Sequence, residues 1–197
     1  PPGSCTTFPG KDIVDAGFLQ LVRYGIREPG DILIENSLRV VDALLQVHTP
    51  FGPCWRRYNH DGYGQRPDGG PFQGWGYGHA WPVLTGERGH YELAAGRDVQ
   101  PFVQAMEKFA TSTHLLPEQI WALADLPEAH MAFGRPTGGA MPLVWAHAEY
   151  LKLVCSAADG QVFDRIMQVA DHFRHGREAP PLEVWKFNRQ IRSIVAG

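Results

Sequence analysis

The 197-residue chain is 44% hydrophobic and 20% charged, which is typical of a folded globular domain with one sizeable core and argues against disorder. Its net charge is −3 and its basic residues are scattered singly, so the composition gives no electrostatic basis for binding nucleic acid or an anionic membrane. No apolar run approaches the roughly 20 residues of a membrane helix, and no signal-peptide pattern opens the sequence.

Residues 1–10 are rich in Pro, Gly, Ser and Thr and predict an entering loop or tail ahead of a domain over residues 11–197. The sequence does not begin with Met, so we expect it to be a piece of a longer protein. Cys5, Cys54 and Cys155 are spaced like neither a zinc site nor a disulfide framework, which favours free and mostly buried thiols.

Two helices are predicted near the start of the domain. Apolar residues recur at helical spacing from Lys11 to about Arg27, and again from Asp31 to about His48. The stop signal Glu28-Pro29-Gly30 lies between them, so we expect the two helices to form a hairpin.

A ring-rich segment follows, from Pro50 to Trp81. It holds eight of the 22 glycines and eight of the 22 aromatic residues, with hardly any aliphatic side chains. A sugar ring has C–H groups on its faces and hydroxyls around its rim, so aromatic rings beside guanidinium groups and carboxylates suit it. We interpret this segment as a sugar-binding surface.

The rest of the chain predicts four more helices and a second long loop. Residues 115–141 are irregular and contain three prolines, and residues 182–195 predict one or two short strands. The helices are expected at residues 82–95, 98–110, 142–155 and 162–173. Loops this long in a compact helical protein are usually functional, and the pattern predicts an all-α fold, half of a larger α/α toroid with almost no strand.

Carboxylates are the first candidates for chemistry, because glycoside hydrolysis normally needs a proton donor and a second carboxylate. Taken from the residues alone, Glu118 pairs with Glu87, although Glu87 equally fits a helix-start acid. Glu149 lies within a predicted helix, three residues before Lys152, so we expect it on a solvated or salt-bridged helix face. The full set of carboxylates beside aromatic residues is Asp61, Glu87, Glu92, Glu118, Asp125, Glu128 and Glu149.

Arg57 and Asp61 flank a turn-prone segment, a spacing that lets both reach one ligand or pair with each other. Four tryptophans are each compatible with the core, and Trp75 and Trp81, which lie beside glycines, are favoured as sugar platforms over Trp121 and Trp145. The nine histidines show no zinc-site spacing, and there is no GxSxG elbow or phosphate loop, so we expect neither a metal nor a cofactor.

Four runs of sequence carry a family resemblance: RYNHDGYG, GHAWPVLTGERGHYELAAGRD, LLPEQIW and RPTGGAMPLVWAHAEYLKL. In this order and spacing they resemble the prokaryotic glucoamylase group of glycoside hydrolase family 15, over a span from about Trp55 to Leu153. The resemblance implies an (α/α)6 barrel of twelve helices, of which this chain is similar to the C-terminal half.

The resemblance also implies a function, an inverting exo-hydrolase that releases glucose from the non-reducing ends of α-glucans or maltooligosaccharides. It places the general base on Glu118 and the residues that hold the sugar on Arg57, Asp61 and Trp81. The family's general acid matches no residue of this sequence. We therefore expect the acid in a missing N-terminal half, and the isolated chain to be incomplete and inactive.

Two alternatives stay open. The chain is also compatible with a non-catalytic α-glucan-binding or regulatory module that keeps the fold without the chemistry. Within hydrolases, glucodextranase or trehalase-type specificity is the other possibility, because the loops that select the linkage lie partly outside this sequence.

Overall fold

The computed structural model describes residues 7–176, which are mostly helical and contain two long irregular segments. We call these segments the first loop (residues 56–81) and the second loop (residues 110–143). The regular elements are α1 (Leu19–Arg23), α2 (Ile32–Leu45), β1 (Gln46–Thr49), β2 (Gly52–Trp55), α3 (Pro82–Ala94), α4 (Gln100–Phe109), α5 (Val144–Asp159) and α6 (Met167–His175). Short 3-10 turns lie at Gly10–Asp12 and Pro127–Ala129. The strands expected at residues 182–195 lie outside the described residues.

The helix expected from Lys11 to Arg27 is mostly wrong, because α1 contains only five residues. Asn59 holds the preceding backbone in an extended form. Its Oδ1 accepts from the N–H of Val14 at 2.7 Å, and its Nδ2 donates to the carbonyl of Asp12 at 2.8 Å. These long-range bonds compete successfully with a helical pattern that is only local, so the predicted hairpin of two full helices does not form.

Helix α2 closely follows its sequence pattern. The side chain of Asp31 caps its first turn by accepting from the N–H of Leu33 at 2.8 Å. The apolar stripe of Ile34, Leu38, Val41 and Leu45 is buried, as the helical spacing predicts.

A β-hairpin follows α2 directly, where the sequence shows almost no strand signal. β1 and β2 pair antiparallel, from Gln46 opposite Trp55 to Thr49 opposite Gly52. Gly52 has a φ of 136°, and a Cβ added there would lie 2.5 Å from the Cβ of Ala105 in α4. The turn therefore requires glycine for both its backbone angle and its contact with α4.

Helices α3, α4 and α5 form the centre of the fold. Their buried apolar residues make one cluster that includes Val83, Met106 and Leu153. Two glycines of α3 allow close packing: a Cβ at Gly86 would lie 2.5 Å from the Glu149 side chain, and one at Gly89 would lie 2.9 Å from Leu153. Helices α5 and α6 begin at Val144 and Met167, later than the sequence predicts.

A buried ion cluster joins α1 to α5. Arg23, only 4% exposed, donates two hydrogen bonds to Glu149 at 2.8 and 3.1 Å and two to Asp164 at 2.8 and 2.9 Å. Burial alone raises the pKa of Glu149, but hydrogen bonds from His90 and Arg23 outweigh it and leave that pKa lowered. Burial likewise opposes the hydrogen bonds from Arg23 and Lys152 that lower the pKa of Asp164 to about 2. Glu149 is thus salt-bridged but buried, not on a solvated face.

Several large apolar side chains remain exposed on α2 and around α5 and α6. They are Ile32, Leu33, Val40, Leu44, Met141, Val144, Trp145, Leu151, Val154, Phe163, Ile166, Met167 and Phe173. Among residues 7–176, none of the helices has the length and apolar character that crossing a bilayer requires. Exposed apolar faces of this extent are typical of interaction surfaces.

The cysteine expectation holds in part. Cys54 is buried, and its burial raises the pKa of the thiol to about 12. Cys155 is exposed on α5, against the expectation of buried thiols, because it lies on the outward side of that helix. Cys5 lies outside the described residues.

We expect Arg23→Met to lower the free energy of unfolding by about 3–5 kcal/mol, because it leaves Glu149 charged and buried without its partner. Denaturant unfolding followed by circular dichroism measures the change. The matched control is Arg27→Met, whose ion pair with Asp31 is solvent-exposed on the arginine side and is expected to contribute less than about 1 kcal/mol. Equal effects of the two substitutions would contradict the structural role of the buried pair.

Candidate functional site

The glycines of the first loop allow its two limbs to touch. A Cβ at Gly76 would lie 1.7 Å from the carbonyl oxygen of Gly64, and one at Gly64 would lie 2.6 Å from the carbonyl oxygen of Tyr77. A Cβ at Gly78 would lie 2.6 Å from the Cβ of Asp61. The glycine content thus has a packing cause, and the loop is a closely folded unit.

Extended backbone joins the first loop to the second. The N–H of Trp81 donates to the carbonyl of Trp55 at 2.8 Å, and the N–H of Ile120 donates to the carbonyl of Ala80 at 2.9 Å. Ile120 also forms a bridge with Pro136 on its other side. These single bridges place the segment around residue 120 beside the start of α3.

His79 strengthens the same junction. It is fully buried and stacks on Trp121 with ring centroids 4.6 Å apart. Its Nδ1 accepts from the N–H of Ala122 at 3.1 Å, so Nε2 carries the hydrogen and donates to the carbonyl of Gln65 at 3.0 Å. Burial lowers the pKa of His79 to about 4. The neutral ring therefore binds Gln65 within the first loop through its donor and Ala122 of the second loop through its acceptor.

Arg57 and Asp61 form a bidentate pair, with Nε to Oδ2 at 2.8 Å and Nη2 to Oδ1 at 2.9 Å. Asp61 also accepts from the N–H of Tyr63 at 2.9 Å. The hydrogen bond to Asp61 is the main cause of a raised pKa of Arg57. The Asp61 side chain is almost completely buried, whereas that of Arg57 is 31% exposed, so the pair presents its cationic side to solvent.

Aromatic rings surround the exposed side of Arg57. Its guanidinium carbon lies 4.9 Å from the ring centroids of both Tyr63 and Trp81. Trp81 is only 5% exposed and lies 6.3 Å from Trp145, centroid to centroid. The ring of Phe72 lies 5.2 Å from that of Tyr63, centroid to centroid. The result is a row of rings with one cation held against it.

Glu118 lies in the second loop, at the wall of a cavity of about 330 Å³ shared by both loops. Its N–H donates to the carbonyl of Ala140 at 2.8 Å, and the side chain is largely buried. Tyr63 and Phe72 line the same cavity from the first loop. Nε2 of Gln119, the residue after Glu118, donates to the carbonyl of Tyr63 at 3.3 Å. The backbone of Tyr63 thereby connects the segment of Glu118 with the Arg57 pair.

Glu87 lines a different cavity from Glu118, in a small space beside Trp55 and Leu84. Burial, and then the charge of Glu149, raise its pKa to about 7. The pairing of Glu87 with Glu118, suggested by the residues alone, finds no support in this geometry.

Tyr63 and Phe72 line the site but are not predicted from the sequence, although both lie in the ring-rich segment. Trp145, which the sequence favours less as a sugar platform than Trp75 and Trp81, is 52% exposed. The sequence feature that indicates this exposure is the position of Trp145, three residues after Pro142 and at the very start of a helix. Trp121 is buried at 1% exposure, as a core residue should be. Within residues 7–176, no group of three or more His, Cys, Asp or Glu side chains is arranged to hold a metal ion.

We expect Gly78→Ala to lower the free energy of unfolding by about 1–3 kcal/mol, because the new methyl group overlaps Asp61. Thermal unfolding measures this loss. Gly62→Ala is the control from the same loop, since a Cβ there meets nothing within 4 Å, and its expected change is within about 0.5 kcal/mol. A stable Gly78→Ala protein would mean that the two limbs of the loop are not in contact.

Comparison with known proteins extends these observations. Residues 6–155 match the model of glycosyl hydrolases family 15. A glucoamylase from Clostridium sp. (strain G0005) is 49% identical over 154 residues, which is 78% of this chain and 21% of that enzyme. A crystal structure of a bacterial glucoamylase complexed with acarbose is 46% identical, with a TM-score of 0.78 over 85% of this chain and 23% of that one.

A wild-type glycosidase structure, 22% identical, matches with a TM-score of 0.56 over 78% of this chain and 38% of its own, and shows the fold alone. The chain thus spans about a fifth of the length of the two glucoamylases that it matches.

Proposed function

The chain belongs to glycosyl hydrolase family 15, and we propose that it supplies the general base and part of the glucose-binding subsite of a glucoamylase-like hydrolase. The observation that carries this proposal is the position of Glu118 in the wall of a cavity that Tyr63 also lines, with the backbone of Tyr63 bound to both Gln119 and Asp61. The substrate would be an α-glucan or maltooligosaccharide, hydrolysed from its non-reducing end with inversion.

In this mechanism, Glu118 takes a proton from a water molecule that attacks the anomeric carbon. The bond from that carbon to the water oxygen forms as the glycosidic bond breaks, and the leaving oxygen receives its proton from a general acid. No residue of this chain is assigned as the acid, which we place in a part of the family domain outside this sequence. This chain covers only 21% and 23% of the two glucoamylases that it matches, which supports placing the acid outside this sequence.

Arg57, Asp61 and Trp81 would hold the sugar. Within the described residues, the pair with Asp61 uses Nε and Nη2 of Arg57, which leaves Nη1 to donate to a sugar hydroxyl. This group is a donor, and sugar hydroxyls are good acceptors. Trp81 is only 5% exposed and would act mainly through its ring, whose centroid lies 4.9 Å from the guanidinium carbon of Arg57. Asp61 would act mainly by fixing the orientation of the Arg57 guanidinium.

The same proposal describes the chain as the C-terminal half of an (α/α)6 barrel, over residues 11–197. The exposed apolar side chains on α2, α5 and α6 support it, because further helices of a toroid would cover them. The remaining helices of that barrel are then the principal partner of this chain.

A non-catalytic α-glucan-binding module is the second candidate, favoured by the lack of an assigned acid. The sequence upstream of Pro1 in the whole gene product separates the two. Six further helices with an acidic and aromatic loop support the enzyme, and an unrelated domain supports the module. Glucodextranase or trehalase-type specificity is separated by comparing hydrolysis of maltose, isomaltose and trehalose.

We expect Glu118→Gln in the whole protein to lower kcat on maltooligosaccharides by about 10²–10⁴-fold, because the amide cannot accept the water proton. Binding of the substrate, measured by calorimetry, should persist. Glu128→Gln is the control, since Glu128 is exposed in the same loop and outside the cavity. Undiminished turnover by Glu118→Gln would remove this residue from the role of base.

Inversion predicts β-glucose as the first product from an α-linked substrate. One-dimensional proton NMR of the anomeric signals, recorded before mutarotation, measures this directly. Initial release of α-glucose would instead indicate a retaining mechanism and overturn this part of the proposal.

A further inference from the structure

A segment of the second loop runs beside Glu118 and bulges next to it. The N–H of Thr137 donates to the carbonyl of Gln119 at 3.0 Å, and the N–H of Glu118 donates to the carbonyl of Ala140 at 2.8 Å. Between these two bonds, one strand of backbone advances by one residue and the other by three. The two extra residues, 138–139, are both glycines and form a bulge, which we call the glycine bulge.

The glycine bulge lies directly against the side chain of Glu118. A Cβ added at Gly139 would lie 3.7 Å from the Cβ of Glu118 and 4.0 Å from its carboxyl carbon. The bulge and Glu118 also line the same cavity. A displacement of the bulge by about 1 Å would therefore change the space that holds the carboxylate, and errors of this size in a reacting group are costly to catalysis.

The carboxamide of Gln65 joins the glycine bulge to the first loop. Its Oε1 accepts from the N–H of Gly138 at 2.7 Å, and its Nε2 donates to the carbonyl of Gly69 at 2.7 Å. Because one partner is a donor and the other an acceptor, the two bonds fix which side of the carboxamide carries the oxygen. The carbonyl of Gln65 is also held, since it accepts from Nε2 of His79 at 3.0 Å and from the N–H of Tyr77 at 3.2 Å.

We propose that Gln65 is a positioning residue for the general base, acting through the glycine bulge on the carboxylate of Glu118. This inference rests on the proposed function, because it requires Glu118 to be the base. The carboxamide exchanges no proton in the reaction: the water proton goes to Glu118, and Gln65 keeps both of its hydrogen bonds. Loss of these bonds would release the bulge and misplace the base, while the contacts proposed to hold the sugar remain.

Gln65→Met in the whole protein tests the proposal, because methionine has a similar length but neither the amide oxygen nor the amide N–H groups. With maltooligosaccharides we expect kcat to fall about ten- to a hundredfold, while KM changes less than about threefold. Steady-state kinetics measure both constants, and circular dichroism checks that the variant is folded.

Gln73→Met is the matched control, with the same substitution in the same loop. The side chain of Gln73 is exposed and accepts a long bond of 3.4 Å from Nη1 of Arg66, and it lies outside the cavity of Glu118. We expect this variant to retain the kcat and KM of the unmodified protein. An equal loss of kcat in the two variants would overturn the proposal.

Gln65→Glu is the conservative variant. Its protonated carboxyl group offers an acceptor to Gly138 and a donor to Gly69, whereas the ionised carboxylate can only accept. The negative charge of Glu118 in the same cavity opposes that ionisation. We expect kcat close to that of the unmodified protein while the introduced carboxyl group is protonated, and a loss of kcat as the pH rises and the group ionises. The basic limb of the pH–kcat profile should therefore move to lower pH.

These measurements distinguish failure of the role of Gln65 from failure of the proposed function. Turnover by Glu118→Gln at the unmodified rate removes the base and with it the proposed function. An inactive Glu118→Gln together with a folded Gln65→Met of unchanged kcat overturns only the role of Gln65. A KM that rises as much as kcat falls also overturns it, because Gln65 then binds the sugar. An unmoved basic limb in Gln65→Glu overturns it as well, whether or not Gln65→Met folds.

Discussion

The buried imidazole of His79 is the contact on which the geometry of the two-loop site depends. Both loops have little regular structure, so a few cross-links must fix their relative position. His79 makes two of them from one ring, the hydrogen bond from Ala122 and the stack on Trp121, and its bond to Gln65 ties the first loop to itself. Its low pKa, near 4, keeps the ring neutral at neutral pH. A protonated ring would lose the acceptor at Nδ1 and place a positive charge against the N–H of Ala122. His79 therefore ties Gln65, which lines the cavity of Glu118, to the second loop at Ala122.

Two arginine–carboxylate clusters show how the same chemistry can stabilise a fold or remain ready for a ligand. Arg23 is buried, and its guanidinium N–H groups donate to two carboxylates, Glu149 and Asp164. Arg57 has one carboxylate, Asp61, and its remaining neighbours are aromatic faces. Rings contribute attraction without acting as strong acceptors, so the guanidinium keeps donor capacity. The number of carboxylates that accept hydrogen bonds from each guanidinium distinguishes the structural Arg23 from Arg57, which is proposed to bind sugar.

Much of the fold could be predicted because helical periodicity is local information. The stripe of α2 and the extent of α3 follow directly from their sequences. The segment before α1 could not be predicted, since a side chain 45 residues away, Asn59, determines its backbone. Family motifs identified Glu118, Arg57, Asp61 and Trp81, and their roles stay predictions. The connection through Tyr63 depends on how the two loops meet in space, which no spacing in the sequence encodes.

The partner that Arg23 finds in Asp164 has a consequence for where this structural unit ends. The family match stops at residue 155, but Asp164 lies nine residues further on and accepts two of the four hydrogen bonds that the buried guanidinium donates to carboxylates. A boundary drawn from family similarity alone would cut between a buried cation and half of its counter-charge. The smallest cooperative unit of this protein is therefore longer than its recognisable family signature.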